Sequence, residues 1–345
     1  MTQIDWSKLT FSYTKTNTIL ICKYSDGKWG EIISTSDDNI VLSTFAGALH
    51  YGIECFEGLK AFRHKDGKVT LFRPEENAKR MIDSANALCI PAPDVDLFVK
   101  MCKQSVRENA DFIPPYGTNA ALYLRPTLIG VNAQLGVHSS TECLFLMLCA
   151  PVGAYTGGTL EPSNAVISRN YDRAAPNGTG CYKLGANYAI SLKSLNIAHK
   201  LGFRAALYLD PLTKDTIEEY NAANFFAIKG NTYITPKSSS ILPSITNKSL
   251  EVVAADLGMT VERRPVKVAE LAEFDEVGQC GTAVVITPVH KIVDKPFLES
   301  EESTVYTFGK PDECGPKSLA LYKAMTSIMY GDSPDIHNWN VEVEL

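Results

Sequence analysis

Asn177-Gly178-Thr179-Gly180-Cys181-Tyr182-Lys183-Leu184-Gly185-Ala186-Asn187-Tyr188 sets a single lysine in a glycine-rich, otherwise uncharged loop just before a helical pattern. Desolvation disfavours the ammonium form, so a lysine in such a pocket can become a nucleophilic amine. Lys183 is thus a Schiff-base candidate. The plainer reading of the same residues is a solvated lysine on a surface loop, and the segments around it must decide. The loop is no dinucleotide or ATP phosphate loop, because Lys183 stands where a third glycine would be needed.

On the carboxyl side the chain mixes element types. A helix is expected from Ala189 to Leu201, ended by Gly202, then a strand from Arg204 to Leu209 and a hairpin around Gly230 and Asn231. Leu250, Val253, Ala254 and Leu257 give a helical stripe over Ser249 to Leu257, with Thr246 or Asn247 placed as its N-cap. The free amides and positive dipole end of such a helix bind phosphate well, although a plain capped surface helix has the same signature. Glu218 and Glu219 are strand neighbours that face opposite ways, so only one would enter a site. Taken alone, the pair reads as solvated. Gly281-Thr282-Ala283 opens an apolar strand, as a turn or as a set of anion-binding amides.

On the amino side the chain reads as strands and turns with two helices inserted. In Ala61 to Arg73 two apolar runs flank Lys65, Asp66 and Gly67, and the Asp-Gly pair can supply the positive φ values of a hairpin turn. Ala78, Met81, Ile82, Ala85 and Leu88 follow a helical period, and Asp94 to Ala110 repeats it more loosely. Ala120 to Gly130 and Glu142 to Ala150 are apolar except for Arg125 and Glu142, as expected of buried strands. Strand period two puts Tyr123 and Arg125 on one face, where they could receive a carboxylate. An arginine paired with a structural acid fits equally well.

The 345 residues suit two domains, and Pro151 to Pro162, rich in Pro and Gly, is the linker candidate. The expected division is 1–150, a linker over 151–163, and 164–345. A net charge of -6 with no basic stripe argues against nucleic acid. Nine irregularly spaced cysteines suit free thiols in a reducing compartment, and no apolar run has membrane-spanning length. No histidine or cysteine spacing suggests a metal site, and there is no Gly-x-Ser-x-Gly elbow.

Taken together, an ordered series along nearly the whole chain resembles the branched-chain aminotransferases of the fold type IV group, which use pyridoxal 5'-phosphate (PLP). It comprises Leu49-His50-Tyr51, Cys55-Phe56-Glu57-Gly58-Leu59-Lys60-Ala61-Phe62, Leu71-Phe72-Arg73-Pro74 with Arg80-Met81, and Leu122-Tyr123-Leu124-Arg125-Pro126. It continues with Pro151-Val152-Gly153-Ala154-Tyr155, Tyr182 to Tyr188, Ile241-Leu242-Pro243, and Gly281-Thr282-Ala283 before Thr287-Pro288-Val289.

The resemblance implies a mixed α+β chain of the D-amino-acid aminotransferase-like fold: a small amino-terminal domain, a larger carboxy-terminal domain, and PLP between them. Lys183 would carry PLP, Glu219 would meet the ring nitrogen, and Tyr188 the ring hydroxyl. Arg80, Ile245, Thr246 and Thr282 would hold the phosphate, with Leu242 against the ring. Tyr51, Phe56, Tyr123 and Tyr155 would line the substrate pocket, partly across a dimer interface, with Ala283 and Tyr123 at the α-carboxylate. Arg125 would take the distal carboxylate of 2-oxoglutarate. The implied reaction moves an amino group between L-leucine, L-isoleucine or L-valine and 2-oxoglutarate, in a cytoplasmic homodimer without metal, nucleic-acid or membrane partners.

The sequence departs from the family pattern at Tyr220, Asn221 and Ala222, where many members have a glycine-rich run, and at Ser244, where Gly often follows Leu-Pro. Tyr220 or Asn221 could reshape the floor beneath the ring. Val284 and Thr287 replace a redox Cys-x-x-Cys found in mammalian-type members, so no thiol switch of that kind is expected. The alternatives are a D-amino-acid aminotransferase or aminodeoxychorismate lyase of the same fold, a cofactor-free Schiff-base lyase, and a noncatalytic binding module.

Overall fold

The computed structural model describes residues 4–153, 160–297 and 300–345. The chain forms two compact units: Met1–Gly158 with Tyr182–Gly185 and Ser327–Leu345, and Thr159–Cys181 with Ala186–Thr326. This division departs from a single cut in two places. The lysine segment and the carboxyl-terminal tail both belong with the first unit, because each pairs with a strand there. The expected linker lies partly outside the described residues.

The first unit is built on β1 (Ile19–Ser25), β2 (Lys28–Thr35), β3 (Glu54–Phe56), β4 (Leu59–Arg63), β5 (Val69–Phe72), β6 (Ala121–Gly130) and β7 (Cys143–Val152). Its helices are α1 (Gly47–Tyr51), α2 (Pro74–Ala87) and α3 (Val95–Glu108). The terminal strand Asn340–Val343 pairs antiparallel with β5, giving the order terminal strand-β5-β4-β6-β7-β1-β2, with β3 on β6. Alternate residues face one core: Leu59 and Ala61, Leu122 and Leu124, Phe145 and Met147 pack with Met81 and Ala85 of α2 and Phe98 and Met101 of α3. Each such large side chain contributes about 1.5–3 kcal/mol on burial. The intervening residues Phe56, Lys60, Tyr123 and Arg125 stand on the opposite face.

The β4–β5 hairpin forms as the alternation requires, but its turn differs from the Asp-Gly expectation. Five residues, His64 to Lys68, link the strands, and only Gly67 takes a positive φ, at 90°. Asp66 instead accepts a hydrogen bond from the Lys68 N–H at 3.1 Å.

The second unit contains β8 (Ser163–Ser168), α4 (Gly185–Ala189), α5 (Leu192–Lys200), β9 (Ala205–Leu209), β10 (Thr216–Tyr220), β11 (Asn224–Lys229), β12 (Thr232–Pro236) and α6 (Ile245–Asp256). After these come β13 (Thr260–Arg264), β14 (Val266–Lys267), β15 (Glu276–Gly281), β16 (Val285–Asp294), β17 (Thr304–Thr307) and most of α7 (Pro316–Met329); the tail strand of the first unit is β18. The sheet runs β13-β12-β11-β15-β16-β8-β9-β10-β14, and an extra β10–β11 pairing, Glu219 opposite Asn224, closes six of the strands into a ring. Ala165, Ile167, Leu207, Ile217, Phe225, Ala227, Val277 and Val289 share the core cluster of these strands. The expected Ala189–Leu201 helix is the shorter α5, Leu192–Lys200, followed by Leu201 and by Gly202 at φ 82°.

Candidate active site

In the first unit the Lys183 segment is laid along β3 as a short extra strand. The Phe56 N–H donates to the Lys183 carbonyl at 3.1 Å, and Cys55 forms an isolated antiparallel bridge with Leu184. From the other side, the Lys183 N–H donates to Ser84 Oγ at 2.9 Å, and Ser84 Oγ–H donates to the Arg80 carbonyl at 2.9 Å. The lysine is half-buried, with Nζ 4.6 Å from the centroid of the Phe56 ring. The backbone on both sides of the side chain is thus fixed, by β3 on one side and by α2 on the other.

Arg80 is buried although it sits on a helix rich in charge. Asn77, Arg80 and Ser84 form a polar stripe along α2 beside the apolar one, at the three- and four-residue spacing that shares a helix face. Arg80 makes a bidentate pair with the fully buried Glu57, Nε to Oε1 at 2.7 Å and Nη2 to Oε2 at 2.8 Å, and Asn77 Nδ2 donates to the same Oε2 at 2.7 Å. Fork-to-fork geometry of this kind orients the guanidinium as well as neutralising it.

Tyr123 and Arg125 share a face of β6 as the strand period predicts. Arg125 Nε and Nη2 donate to the Tyr123 hydroxyl at 3.3 and 3.1 Å, and the guanidinium lies 4.8 Å from the Phe56 ring centroid. Among the described residues no carboxylate lies within ion-pair distance of Arg125. A cavity of about 340 Å³ opens beside these two residues, walled on one side by Leu148, Ala150, Val152 and Phe11 and on another by hydroxyl residues with Lys15 and Asp38, which pair with each other at 3.7 Å. A Cβ on Gly58 would overlap the Tyr123 hydroxyl, so the glycine leaves room for that ring. Tyr51 stands apart, exposed at the end of α1, its hydroxyl donating to the Leu135 carbonyl. Tyr155 lies outside the described residues.

The second unit collects a different set. Glu219 Oε1 accepts from Arg173 Nη2 and from the Leu242 N–H, both at 2.8 Å, and Oε2 accepts from Asn224 Nδ2 at 2.9 Å. Burial pushes the Glu219 carboxyl up to about 7, with Arg173 and the Leu242 N–H pulling the other way. Glu218 is buried too, accepting from the hydroxyls of Ser238 and Ser240, so the solvated reading of the pair is wrong. The cause is a bulge: Ile217 pairs with Leu209 and Tyr220 with Leu207, which inserts one extra residue on β10 and re-aims both carboxylates. Tyr220, expected to bear on the floor of a site, points into the core and stacks on Phe225 at 6.0 Å.

Helix α6 starts earlier than its stripe suggests. Ser244 is the N-cap, its Oγ accepting from the Asn247 N–H at 3.2 Å, so Ile245 and Thr246 are the first helical residues and neither Thr246 nor Asn247 is the cap. The serine that breaks the family pattern thus caps the helix. Gly281 is the last residue of β15, and Thr282, Ala283 and Val284 form the turn that leads into the apolar strand β16, whose first residue, Val285, takes φ 60°. Tyr188 is half-buried in α4. The glycine-rich loop is pinned by Asn187, which accepts from Thr179 Oγ1 and donates to the Thr179 carbonyl, both at 2.8 Å.

Sequence reasoning missed Glu54, Asn77, Ser84, Arg173 and Asn224. The i, i+3, i+7 spacing of Asn77, Arg80 and Ser84 was a usable signal; the others are set by long-range pairing. All nine cysteines are free, and among the described residues there is no metal-binding cluster and no helix long and apolar enough to cross a membrane.

The family model for amino-transferase class IV matches residues 54–292. The chain is 47% identical to the branched-chain-amino-acid aminotransferase of Haemophilus influenzae, covering 100% of both chains. It is 44% identical to that of Helicobacter pylori, covering 99% of this chain and 98% of the relative. The solved structure of the Escherichia coli branched-chain amino acid aminotransferase superposes with a TM-score of 0.76 at 27% identity, over 96% of this chain and 100% of that one. A lysine-bearing loop laid along β3, a buried carboxylate with donors around it, and these full-length likenesses agree, and the chain belongs to the branched-chain amino acid aminotransferases of the class IV amino-transferase family.

Proposed function

We propose that this enzyme uses PLP to move amino groups between L-leucine, L-isoleucine or L-valine and 2-oxoglutarate, reversibly. The observation that carries the substrate reading is Arg125: a guanidinium without an ion-pair partner among the described residues, beside a cavity walled by Leu148, Ala150 and Val152. An apolar side chain and a distal carboxylate must use the same pocket in turn, and a cation at an apolar wall can receive both.

The residues fit the cofactor. A carboxylate offers about four lone-pair directions; three donors occupy those of Glu219, two on Oε1 and one on Oε2, which leaves Oε2 capacity for a ring N–H. The amides of Ile245 and Thr246 at the positive end of the twelve-residue α6 suit a phosphate, and Arg80 and Thr282 would be its further donors. Leu242 would lie against the ring and Tyr188 at its hydroxyl. Lys183 Nζ would be the covalent attachment point. When bound, PLP supplies an electron sink that acidifies the α-hydrogen of the amino acid.

The chain's own part of the chemistry is positional and protonic. Tyr123, with the Thr282–Ala283 turn, would hold the α-carboxylate, and Phe56 would wall the side-chain pocket. Lys183 Nζ would take the proton from the substrate's α-carbon and pass it to the cofactor, and in the second half of the reaction carry a proton the opposite way. The geometry supporting this is the double anchoring of the Lys183 backbone, which limits where Nζ can reach.

A homodimer is part of the proposal. Phe45, Leu49, Tyr51, Leu135 and Val137 are exposed apolar residues gathered around the Tyr51–Leu135 and Gln134–Phe45 hydrogen bonds, and a second copy would cover them and use Tyr51. The nine free thiols suit a reducing, cytoplasmic setting. Lys183→Ala tests the central role: steady-state transamination should fall by at least about a thousandfold, and a variant retaining wild-type turnover would contradict it.

A further inference from the structure

Glu54 has no part in the scheme above, yet it occupies a constrained position beside the groups that do. On β3, Cys55 turns into the core, so Glu54 and Phe56 stand on the opposite face, opposite Ile129 and Thr127 of β6. Arg125 follows on that face of β6, two residues beyond Thr127 and four beyond Ile129, with the Phe56 ring between it and Glu54 along the strand. The Phe56 ring already has two cations close to it, Arg125 at 4.8 Å and Lys183 Nζ at 4.6 Å. Glu57 cannot balance them, because both its oxygens are engaged by Arg80 and Asn77.

The Glu54 carboxylate is also held in place. It accepts the N–H of Gly185, and a Cβ on Gly185 would overlap Oε1, so the loop approaches closely enough only because residue 185 is glycine. Burial raises the Glu54 carboxyl above the usual range, while Arg125 and the Gly185 N–H act to lower it.

We propose that Glu54 is a specificity-determining residue: it is the counter-charge of Arg125 while an apolar side chain fills the pocket, a role that the distal carboxylate of 2-oxoglutarate takes over when it binds. This rests on the substrate reading above. An arginine facing only a leucine side chain would be a partly desolvated charge without compensation, which is costly. A fixed carboxylate on the same face but outside ion-pair contact lowers that cost without blocking the guanidinium. The same carboxylate repels an incoming anion, so Glu54 weights the pocket toward branched substrates and keeps the two affinities comparable.

Glu54→Gln separates the charge from the anchor, because the amide oxygen can still accept from Gly185. The experiment titrates the holoenzyme with glutarate, which carries a distal carboxylate, and with 4-methylvalerate, which carries a branched apolar end. In Glu54→Gln, glutarate should bind about tenfold more tightly and 4-methylvalerate several-fold more weakly. On an Arg125→Met background the Gln substitution should no longer change the ratio. Equal shifts for both ligands, or an unchanged ratio, would overturn the role of Glu54 alone. A wild-type holoenzyme that binds 4-methylvalerate but not glutarate would overturn the Arg125 reading itself, and the inference with it.

Discussion

Glu219 shows how much a single residue depends on its surroundings. Its carboxyl is pushed up to about 7 by burial, against an ordinary value of 4.5. A carboxyl whose pKa is raised by folding keeps its proton in the native state after the unfolded chain has lost it. Its contribution is therefore fully present below about pH 4.5 and is lost as the pH rises through about 7. Urea midpoints of the cofactor-free protein and of Glu219→Gln, compared from pH 4 to 8, should diverge over that interval, with wild type losing ground by no more than about 3 kcal/mol. A difference between the two that stays constant with pH would show that Glu219 titrates alike in both states. The sequence suggested that only one of Glu218 and Glu219 turns inward. Strict strand alternation hid the bulge, which only the pairing of β10 with β9 reveals.

At the scale of elements, α6 illustrates a legible helix with an illegible start. The stripe Leu250, Val253, Ala254 and Leu257 marks the body, but the first turn is set by Ser244, whose backbone is extended and whose hydroxyl accepts the Asn247 N–H. Ser244→Ala should cost about 1 kcal/mol of stability, and Ser244→Gly only a few tenths, read from urea unfolding of the holoenzyme. Equal losses for the two would mean that the hydroxyl is not the cap. The α2 helix makes the same point on its polar side. Its apolar stripe was readable, whereas the burial of Asn77, Arg80 and Ser84 follows from Glu57 and the lysine loop, which lie far away in sequence.

For the whole molecule, the lysine loop, the apolar strands and the ordered series of family stretches were readable in the sequence, because each is a local signal. Long-range pairings were not. The tail joins the first unit because Asn340 to Val343 pairs with β5, and the second sheet closes because Glu219 meets Asn224, neither of which has a local signature. The site residues depend on those pairings: β3 presents Glu54 and Phe56 to the lysine loop, and the closure of the ring places Asn224 on Glu219. The central claim is that this arrangement holds PLP on Lys183 and works on branched L-amino acids. The most direct test is the near-ultraviolet and visible absorption spectrum of the purified protein with PLP, before and after L-leucine and, separately, D-alanine. The account predicts a yellow band that L-leucine bleaches to the pyridoxamine form and D-alanine leaves in place; a protein that stays colourless with PLP, or a band bleached by D-alanine alone, would contradict it.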